Sequence, residues 1–400
     1  MLYGVWSSGS DARAFYKETK SISIDERAWG KMANVPGKIQ TWQMVQPWKK
    51  DPETGKLIAG TLEKTEVPVP PLQSGEVLVE IAGCGVCHTD LGYFYDCIPT
   101  VTKPPLTLGH EISGVVVAGE EKLLGKEVII PAVMPCNRCP ICAAGRGNRC
   151  LAQKMPGNSL GIYGGFSSLI PVPAEDLCVI ENRSDFQLAE LAVIADALTT
   201  PYQACVRAGL KQGDNVVVVG VGGGVGSYVA QVAKAFGAKT IIGVDIDPAK
   251  LERALKYGAD SVINSTGKDA KAVREEFREL CKAHGLPSHY SWIIFEVTGT
   301  ALGQEIALNL LSFIGKLIWV GFGMQKNVYS LSRLMAFDAE IIGTWGCLPK
   351  YYPKVLELVL NKTTRIRPFI ELRPMSQIRR VFEEARDRKL MKRVILTPDF

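Results

Sequence analysis

The chain has 400 residues, of which 46% are hydrophobic and 22% are charged, with 46 basic and 41 acidic side chains. This length predicts two domains, and the composition excludes a disordered, collagenous or coiled-coil protein. No stretch has the roughly 20 consecutive apolar residues of a membrane helix. A net charge of +5 spread over the whole chain gives no support for nucleic-acid or membrane binding.

The first 31 residues read differently from the rest. They mix acidic and basic side chains and lack an apolar core segment, which excludes a signal peptide, and Asp11 and Glu18 argue against an acid-poor transit peptide. We expect residues 1–31 to be an extension that packs little against the remainder. The alternative is that the chain starts upstream of the native first residue, which would then be Met32.

The remaining chain has two regions with different patterns of apolar residues. From Ile39 to Val179, short apolar runs separated by Pro and Gly predict an antiparallel β domain. Residues 188–209 have helical spacing, and after them apolar strands such as VVVVG and TIIGVDID alternate with amphipathic helices. This alternation predicts βαβ units and a parallel sheet. The chain closes with two helical patterns and a strand, RVILTPDF.

A glycine-rich turn joins the strand VVVVG to a helix. Its glycines at 220, 223 and 226 allow close backbone approach to a pyrophosphate at a helix N-terminus. Asp245 ends the next strand, nineteen residues after Gly226, where a carboxylate binds ribose hydroxyls and disfavours a 2′-phosphate. The pattern therefore predicts NAD rather than NADP, and the alternative is a turn that binds nothing. The predicted cofactor residues here are Gly220, Gly223, Gly224, Val225, Gly226 and Asp245.

Four of the eleven cysteines lie within fifteen residues, at Cys136, Cys139, Cys142 and Cys150. Four thiolates fill a tetrahedral Zn²⁺ shell, so this zinc is predicted to be structural. An iron–sulfur cluster or free thiols are the alternatives, although the spacing differs from the bacterial cluster motif. An odd cysteine number argues against a disulfide framework and predicts a reducing cytoplasm.

A second possible metal set is spread along the chain. Cys87 lies in GCGVCHTD, His110 and Glu111 lie in LGHE, and Asp196 lies in ADALTT. A cysteine, a histidine and a carboxylate with an open fourth position form a catalytic zinc site. Each residue alone is typical of ordinary packing, so the prediction depends on their combination.

Together these motifs resemble the medium-chain zinc-dependent alcohol dehydrogenase superfamily, over about residues 39–400. The resemblance implies an α/β protein with a Rossmann doubly wound parallel sheet and a discontinuous GroES-like antiparallel β domain that carries a zinc lobe. The implied domains are 32–190 with 345–400, GroES-like, and 191–344, Rossmann. It further implies NAD and two zinc ions per chain, one catalytic and one structural.

The resemblance also implies roles for single residues. The catalytic zinc would be held by Cys87, His110 and Asp196, where many relatives have Cys at the third position. Glu111 would approach this zinc, Asp90 would orient the histidine and Thr89 would accept the substrate proton. The further residues implied to contact the cofactor are His88, Lys250 and Arg393. Many relatives have a relay histidine where this chain has Gly92, so the later proton route is open.

Other segments, among them IAGCGVCHTDLGYFYD and QKMPGNSLGIYGGFSS, resemble a branch of the superfamily that oxidises a ring hydroxyl of a cyclic acyl-CoA in anaerobic aromatic degradation. Another allylic or aryl alcohol, a zinc-less dinucleotide-binding protein and a zinc-ribbon interaction module are the alternatives. A homo-oligomer is implied, a tetramer or a dimer. Candidate substrate-pocket residues are Tyr93, Tyr163 and Trp345, and candidate coenzyme A residues are Arg146, Arg149 and Lys154.

Overall fold

The structure is a computed structural model, and it describes residues 35–400. The predicted extension at 1–31 lies outside the described residues. Within the described part of the chain, no helix is long and apolar enough to cross a membrane.

The first half of the described chain is built mainly of strands. They are β1 (Lys38–Gln46), β2 (Lys49–Lys50), β3 (Leu57–Ile58), β4 (Thr61–Pro68), β5 (Glu76–Gly85), β6 (Leu106–Thr107), β7 (Glu111–Ala118), β8 (Glu127–Ile130), β9 (Leu169–Pro173) and β10 (Cys178–Ile180). Two short helices, α1 (His88–Tyr95) and α2 (Pro140–Ala143), lie between them. The consecutive apolar residues of β5 place both of its faces in the core, since Val77, Leu78 and Val79 are fully buried.

The main sheet of this half also contains strands from the end of the chain. Its order is β10-β8-β7-β5-β18-β17, where β17 is Ile370–Pro374 and β18 is Arg393–Thr397, and β9 also pairs with β5. All its pairs are antiparallel except β17 with β18. A smaller sheet places β1 between β4 and β6.

The second half alternates strands and helices. The strands are β11 (Asn215–Val219), β12 (Thr240–Asp245), β13 (Ser261–Asn264), β14 (Trp292–Glu296), β15 (Lys316–Trp319) and β16 (Glu340–Gly343). The helices are α3 (Thr199–Ala208), α4 (Gly226–Ala235), α5 (Pro248–Lys256), α6 (Ala270–Ala283), α7 (Ala301–Leu310), α8 (Ser332–Phe337), α9 (Tyr352–Leu360) and α10 (Ile378–Arg386).

These strands form one parallel sheet in the order β13-β12-β11-β14-β15-β16. The successive valines of β11 face opposite helix layers, Val216 and Val218 on one side and Val217 and Val219 on the other. The strand order reverses between β11 and β14, and ligands of such sheets bind at the carboxyl ends of the strands at this point. The glycine-rich turn follows β11 there.

Residues 188–209 differ from the prediction of a continuous helix. The structure has a 3₁₀ segment, Leu188–Ala195, and then α3, with Asp196 between them at φ −138° and ψ −54°. An unbroken helix would place Pro201 in its interior, where it lacks a donor and clashes with a carbonyl four residues earlier. The break places Pro201 in the first turn of α3 and releases Asp196 from helical geometry.

Candidate active site and metal centres

The predicted catalytic ligands come from three separate connections. Cys87 precedes α1, His110 precedes β7, and Asp196 lies at the break before α3. Asp196 Oδ2 lies 3.7 Å from Cys87 Sγ and 3.5 Å from His110 Nε2. In a tetrahedral zinc site with bonds of about 2.0–2.3 Å, ligand atoms lie roughly 3.3–3.8 Å apart. The spacing of these donor atoms therefore fits a zinc ion.

Asp90 joins two of these connections from behind. Its Oδ2 accepts a hydrogen bond from the Cys87 backbone at 3.0 Å, and its Oδ1 accepts one from the Gly109 backbone at 3.0 Å. Oδ1 also lies 3.3 Å from His110 Nδ1, which leaves the other ring nitrogen to face Asp196. Since Asp90 is fully buried, it fixes the histidine orientation in the way that carboxylates fix zinc-ligating histidines.

The charges of the site favour a bound cation. Burial alone would lower the pKa of His110, but Asp90 and Asp196 outweigh it and raise that pKa well above its usual value. Burial raises the pKa of Asp196, yet the contact with His110 and the charge of Arg393 bring it down to about 2. A zinc ion would supply the positive charge that this donor set otherwise draws from a proton on His110.

Glu111 lies in the same cluster, and the ligand atoms of Cys87, His110, Glu111 and Asp196 are all within 4.8 Å of one another. Burial raises the pKa of Glu111 to about 7, although Arg393 acts in the opposite direction. The carboxylate forms an ion pair with Arg393, and both side chains are buried. A β-carbon on Gly224 would lie 2.8 Å from Arg393 Nη2. Arg393 therefore connects this group of four side chains, here called the metal cluster, with the glycine-rich turn.

The glycine-rich turn is closely packed. A β-carbon on Gly226 would lie 2.0 Å from the Gly220 carbonyl oxygen, and Gly220 has a φ of 95°. Asp245 Oδ2 accepts a hydrogen bond of 2.8 Å from the Gly222 backbone, and the side chain of Lys250 packs on Gly222. The sequence pattern thus produces a narrow backbone surface with a carboxylate at its edge, beside the N-terminus of α4.

The other predicted residues of the catalytic region lie on α1. Thr89 Oγ1 is 3.7 Å from Cys87 Sγ, and His88 is exposed in the first turn. Gly92 is buried, and a β-carbon there would meet only Ile98 among nearby atoms. The first turn of α1 therefore presents one hydroxyl beside the metal cluster.

The four-cysteine lobe brings its sulfur atoms together around α2. Cys139 Sγ lies 3.5 Å from Cys142 Sγ and 3.8 Å from Cys150 Sγ, which fits a shell of four sulfurs with bonds of about 2.3 Å. Backbone donors lower the pKa of Cys139 to about 6, and burial raises that of Cys150 to about 12. All eleven cysteines are free thiols.

The candidate substrate and coenzyme A residues are scattered. Tyr93 is buried and bonded to Asn158, and Tyr163 is half-buried against the core of the β domain. The guanidinium of Arg149 stacks on Trp345 at 4.4 Å. Lys154 forms an ion pair with Glu76 at 3.2 Å, and Arg146 is exposed. Arg149 and Lys154 therefore already have partners within the chain.

Three residues in or near the site were not identified from the sequence. Thr200 donates a hydrogen bond of 2.6 Å to Asp196 Oδ1, and the Tyr352 hydroxyl donates to the Ala195 carbonyl at 2.5 Å. Glu296, at the carboxyl end of β14, is fully buried. Thr200 follows Asp196 by four residues, a spacing that brings side chains together at the start of a helix, so this contact could have been predicted from the sequence. Tyr352 is too distant in sequence for such a prediction.

Comparisons with known proteins agree with this arrangement. Residues 73–182 match the alcohol dehydrogenase GroES-like domain family, and residues 224–361 match the zinc-binding dehydrogenase family. An alcohol dehydrogenase of Geobacillus stearothermophilus is 30% identical over 343 residues, covering 84% of this chain and 96% of that protein. The NAD-dependent alcohol dehydrogenase of Sulfolobus acidocaldarius is 30% identical over 325 residues, covering 77% of this chain and 88% of that protein.

Solved structures show the same fold. The galactitol-1-phosphate dehydrogenase of Escherichia coli has a TM-score of 0.77 at 23% identity, covering 90% of this chain and 100% of that one. The acetophenone reductase of Geotrichum candidum in complex with NAD has a TM-score of 0.76 at 24% identity, covering 91% of this chain and 98% of that one.

The chain belongs to the family of zinc-dependent alcohol dehydrogenases with a GroES-like domain. The predicted fold class is confirmed, and so are zinc and a nicotinamide dinucleotide as the cofactors of the family.

Proposed function

We propose that the protein oxidises the ring hydroxyl of 6-hydroxycyclohex-1-ene-1-carbonyl-CoA to 6-oxocyclohex-1-ene-1-carbonyl-CoA with NAD⁺, a step of anaerobic aromatic degradation through benzoyl-CoA. The observation that carries the chemistry is the convergence of Cys87, His110 and Asp196 on one point, linked by Arg393 to the glycine-rich turn. The choice of substrate is supported by the resemblance of segments such as QKMPGNSLGIYGGFSS to 6-hydroxycyclohex-1-ene-1-carbonyl-CoA dehydrogenase.

The residues around the catalytic zinc position have separate roles in the proposed reaction. Cys87, His110 and Asp196 would hold the zinc, which supplies a Lewis acid that lowers the pKa of an alcohol. Asp90 keeps His110 in its orientation, and Thr89, beside Cys87, takes the proton of the substrate hydroxyl. Gly92 provides no side chain for a relay, so the proton would have to leave Thr89 by a route that does not involve residue 92.

A second group of residues holds the dinucleotide. The backbone of 220–226 would bind the pyrophosphate together with Arg393, whose guanidinium group lies beside Gly224. Asp245 accepts the adenosine ribose hydroxyls and repels a 2′-phosphate, which favours NAD over NADP. His88 and Lys250 would also contact the cofactor, and Lys250 packs on Gly222 of the turn. With the proposed domain limits, 32–190 with 345–400 and 191–344, the metal-ligand residues and the glycine-rich turn would lie at the junction of the two domains.

We also propose that the chain forms a homodimer and that two such dimers can associate into a tetramer. Strand β16 is an edge strand of the parallel sheet, and the segment before it exposes large apolar side chains. Val328, Leu331 and Met335 are 98%, 70% and 79% exposed. An unpaired strand edge next to an apolar surface favours association of two identical copies. The odd number of cysteines, four of which have the spacing of metal ligands, supports a cytoplasmic location.

The test of the substrate is NADH formation by the zinc-replete protein, followed by absorbance. The thioester is compared with its free acid and with cinnamyl alcohol. We expect turnover of the thioester alone, because the coenzyme A portion contributes binding energy that the small alcohols lack. Turnover of cinnamyl alcohol without turnover of the thioester would replace the proposal by its alternative, a dehydrogenase of another allylic or aryl alcohol.

A further inference from the structure

A cleft lies at the amino ends of the strands of the parallel sheet, whereas the glycine-rich turn lies at their carboxyl ends. It is formed by α6, the end of α7, α8 and the connections that enter β14 and β15, and its volume is about 190 Å³. Since strands of four or five residues rise about 3.3 Å per residue, the cleft is separated from the cofactor edge by roughly 13–17 Å. It is therefore distinct from the proposed catalytic site.

Three arginines surround this cleft, two from α6 and one from α8. They are Arg274, Arg278 and Arg333, and no acidic residue lines the cleft. Glu275 pairs with Arg278 at 3.1 Å and lies 3.8 Å from Arg274. Among the described residues, Arg333 has no carboxylate within 4.0 Å, and its Nη1 donates to Asn309 Oδ1 at 3.4 Å. Arg274 and Arg278 thus share one carboxylate, and Arg333 has none.

The arginines are close enough to repel one another. Burial lowers the pKa of Arg333, and the positive charge of Arg274 lowers it further. Two polar atoms of the cleft residues, Arg274 Nε and Ser312 Oγ, are buried without a hydrogen-bond partner among the described residues. Such uncompensated donors are costly in a folded protein unless an acceptor binds to them. An acceptor that carries negative charge would satisfy these donors and offset the charges of the arginines it faces.

The walls and the volume restrict the kind of acceptor. Phe277, Leu310 and Phe337 supply apolar surface beside the arginines. The volume corresponds to about six water molecules of roughly 30 Å³ each, which is below the usual 300–1,000 Å³ of sites for larger ligands. A dinucleotide or coenzyme A is therefore too large, whereas one oxyanion group on a small apolar body fits.

We propose that this cleft binds a compact oxyanion, a phosphate or a carboxylate, through the guanidinium groups of Arg274 and Arg333. The planar guanidinium group presents paired N–H donors that match either anion. Arg278 and Asn309 complete the rim, and the apolar wall accommodates the remainder of the ligand. This site is independent of the reaction proposed above.

The test uses the zinc-replete enzyme saturated with NADH, so that the cofactor site is filled before titration. Inorganic phosphate and benzoate are titrated separately by calorimetry at low ionic strength, and acetate shows the contribution of the apolar body. We expect saturable binding of one anion per chain, with phosphate and benzoate competing. Tighter binding of benzoate than of both phosphate and acetate identifies a carboxylate ligand, and tighter binding of phosphate identifies a phosphorylated one.

Variants assign the binding to the cleft. Arg333→Gln should weaken anion binding at least ten-fold, and Arg333→Lys should weaken it less, because lysine keeps the charge but lacks the paired donors. Lys282→Gln, on the exposed surface of α6, removes the same charge outside the cleft and should leave binding unchanged. Arg333→Gln should also leave the melting temperature unchanged or raise it, since it removes a repelling charge.

Several results would overturn the proposal. One is equal loss of binding in Arg333→Gln and Lys282→Gln, which would indicate non-specific attraction. Another is the absence of saturable binding when NADH is present. A third is a lower melting temperature or a smaller assembled mass in Arg333→Gln with anion binding retained, since this would make Arg333 a structural or inter-subunit cation.

Discussion

Asp196 shows how one side chain becomes available for a metal. It lies between a 3₁₀ segment and α3, and its two carboxylate oxygens have different partners, Thr200 on one side and Cys87 with His110 on the other. A carboxylate in place of the cysteine of many relatives keeps the ligand charge and replaces a soft sulfur by a hard oxygen. Zinc accepts both types of donor, so a carboxylate at position 196 still fits a zinc ion.

Replacement of Cys87 by serine should remove the catalytic zinc and leave the fold intact. The change deletes one of three protein ligands, whereas the surrounding hydrogen bonds of Asp90 to the backbone are retained. We expect turnover to fall about a thousand-fold or more, because several kcal/mol of transition-state stabilisation depend on the metal. Metal analysis should show one zinc per chain in place of two. Cys97→Ser, which changes an exposed thiol outside both metal groups, is the control, and full activity of a zinc-depleted Cys87→Ser protein would contradict the assignment.

Asp245→Ala should weaken NAD binding and reduce the preference for NAD over NADP. Charge-assisted hydrogen bonds contribute about 1.5–3 kcal/mol each, so we expect a loss of roughly ten- to a hundred-fold in NAD affinity. NADP should be affected less, because the variant no longer repels its 2′-phosphate. The matched control is Asp247→Ala, which removes the N-cap bonds to Ala249 and Lys250 and should cost about 1 kcal/mol of stability without altering the cofactor ratio. An NAD-to-NADP ratio equal to that of the native protein would refute the role of Asp245.

The catalytic ligands could be predicted from the sequence because each lies in a short motif, but their partners could not. The ion pair between Glu111 and Arg393 joins residues 282 positions apart. From the sequence, Arg393 was assigned only to the cofactor and Glu111 only to the zinc. Such a pair depends on β18 lying beside β5, which brings the end of the chain next to the metal cluster. Local sequence patterns do not show that these two residues, so far apart in the sequence, lie next to each other in space.

Among the structural elements, the strand–turn–helix unit from β11 to α4 was the most predictable, because its apolar strand, glycines and amphipathic helix follow one another directly. The region 188–209 was less predictable. Its apolar spacing is helical throughout, and the backbone requirement of Pro201 determines where the helix begins. The consequence for function is direct, since the interruption contains Asp196.

The glycine-rich turn gives an element-scale prediction in which two glycines behave differently. Gly226→Ala should increase the dissociation constant for NAD more than ten-fold, because its β-carbon would overlap the Gly220 carbonyl oxygen at 2.0 Å and force the turn to move. Gly223→Ala is the matched control, since its β-carbon would lie 3.3 Å from the same oxygen and a small adjustment suffices. Fluorescence titration with NADH measures both. Equal effects of the two substitutions would show that packing at Gly226 does not shape the cofactor site.

At the scale of the whole molecule, the C-terminal strands determine which parts of the chain meet at the candidate site. Strands β17 and β18 return to the sheet of the first half, and β18 carries Arg393 to the junction with the parallel sheet. The length predicted two domains, whereas this return of the chain was inferred only through the family resemblance. Hydrophobic periodicity identifies strands, but the partner of a strand distant in sequence is decided by packing of the completed sheet.

The apolar surface beside β16 gives the last prediction, which concerns assembly. Paired β16 strands from two copies would extend the six-stranded sheet across a two-fold axis and cover Ile341, Met335 and their neighbours. Met335→Asp would place a charge in that interface, and we expect the dimer dissociation constant to rise at least a hundred-fold, because burial of an unpaired charge costs several kcal/mol. Sedimentation velocity measures the mass of the assembly.

Leu57→Asp, at a 59% exposed position on β3, is the control and should leave the assembly unchanged. If Met335→Asp sediments as the native protein does, the copies associate through another surface, and the apolar segment before β16 must have a different partner.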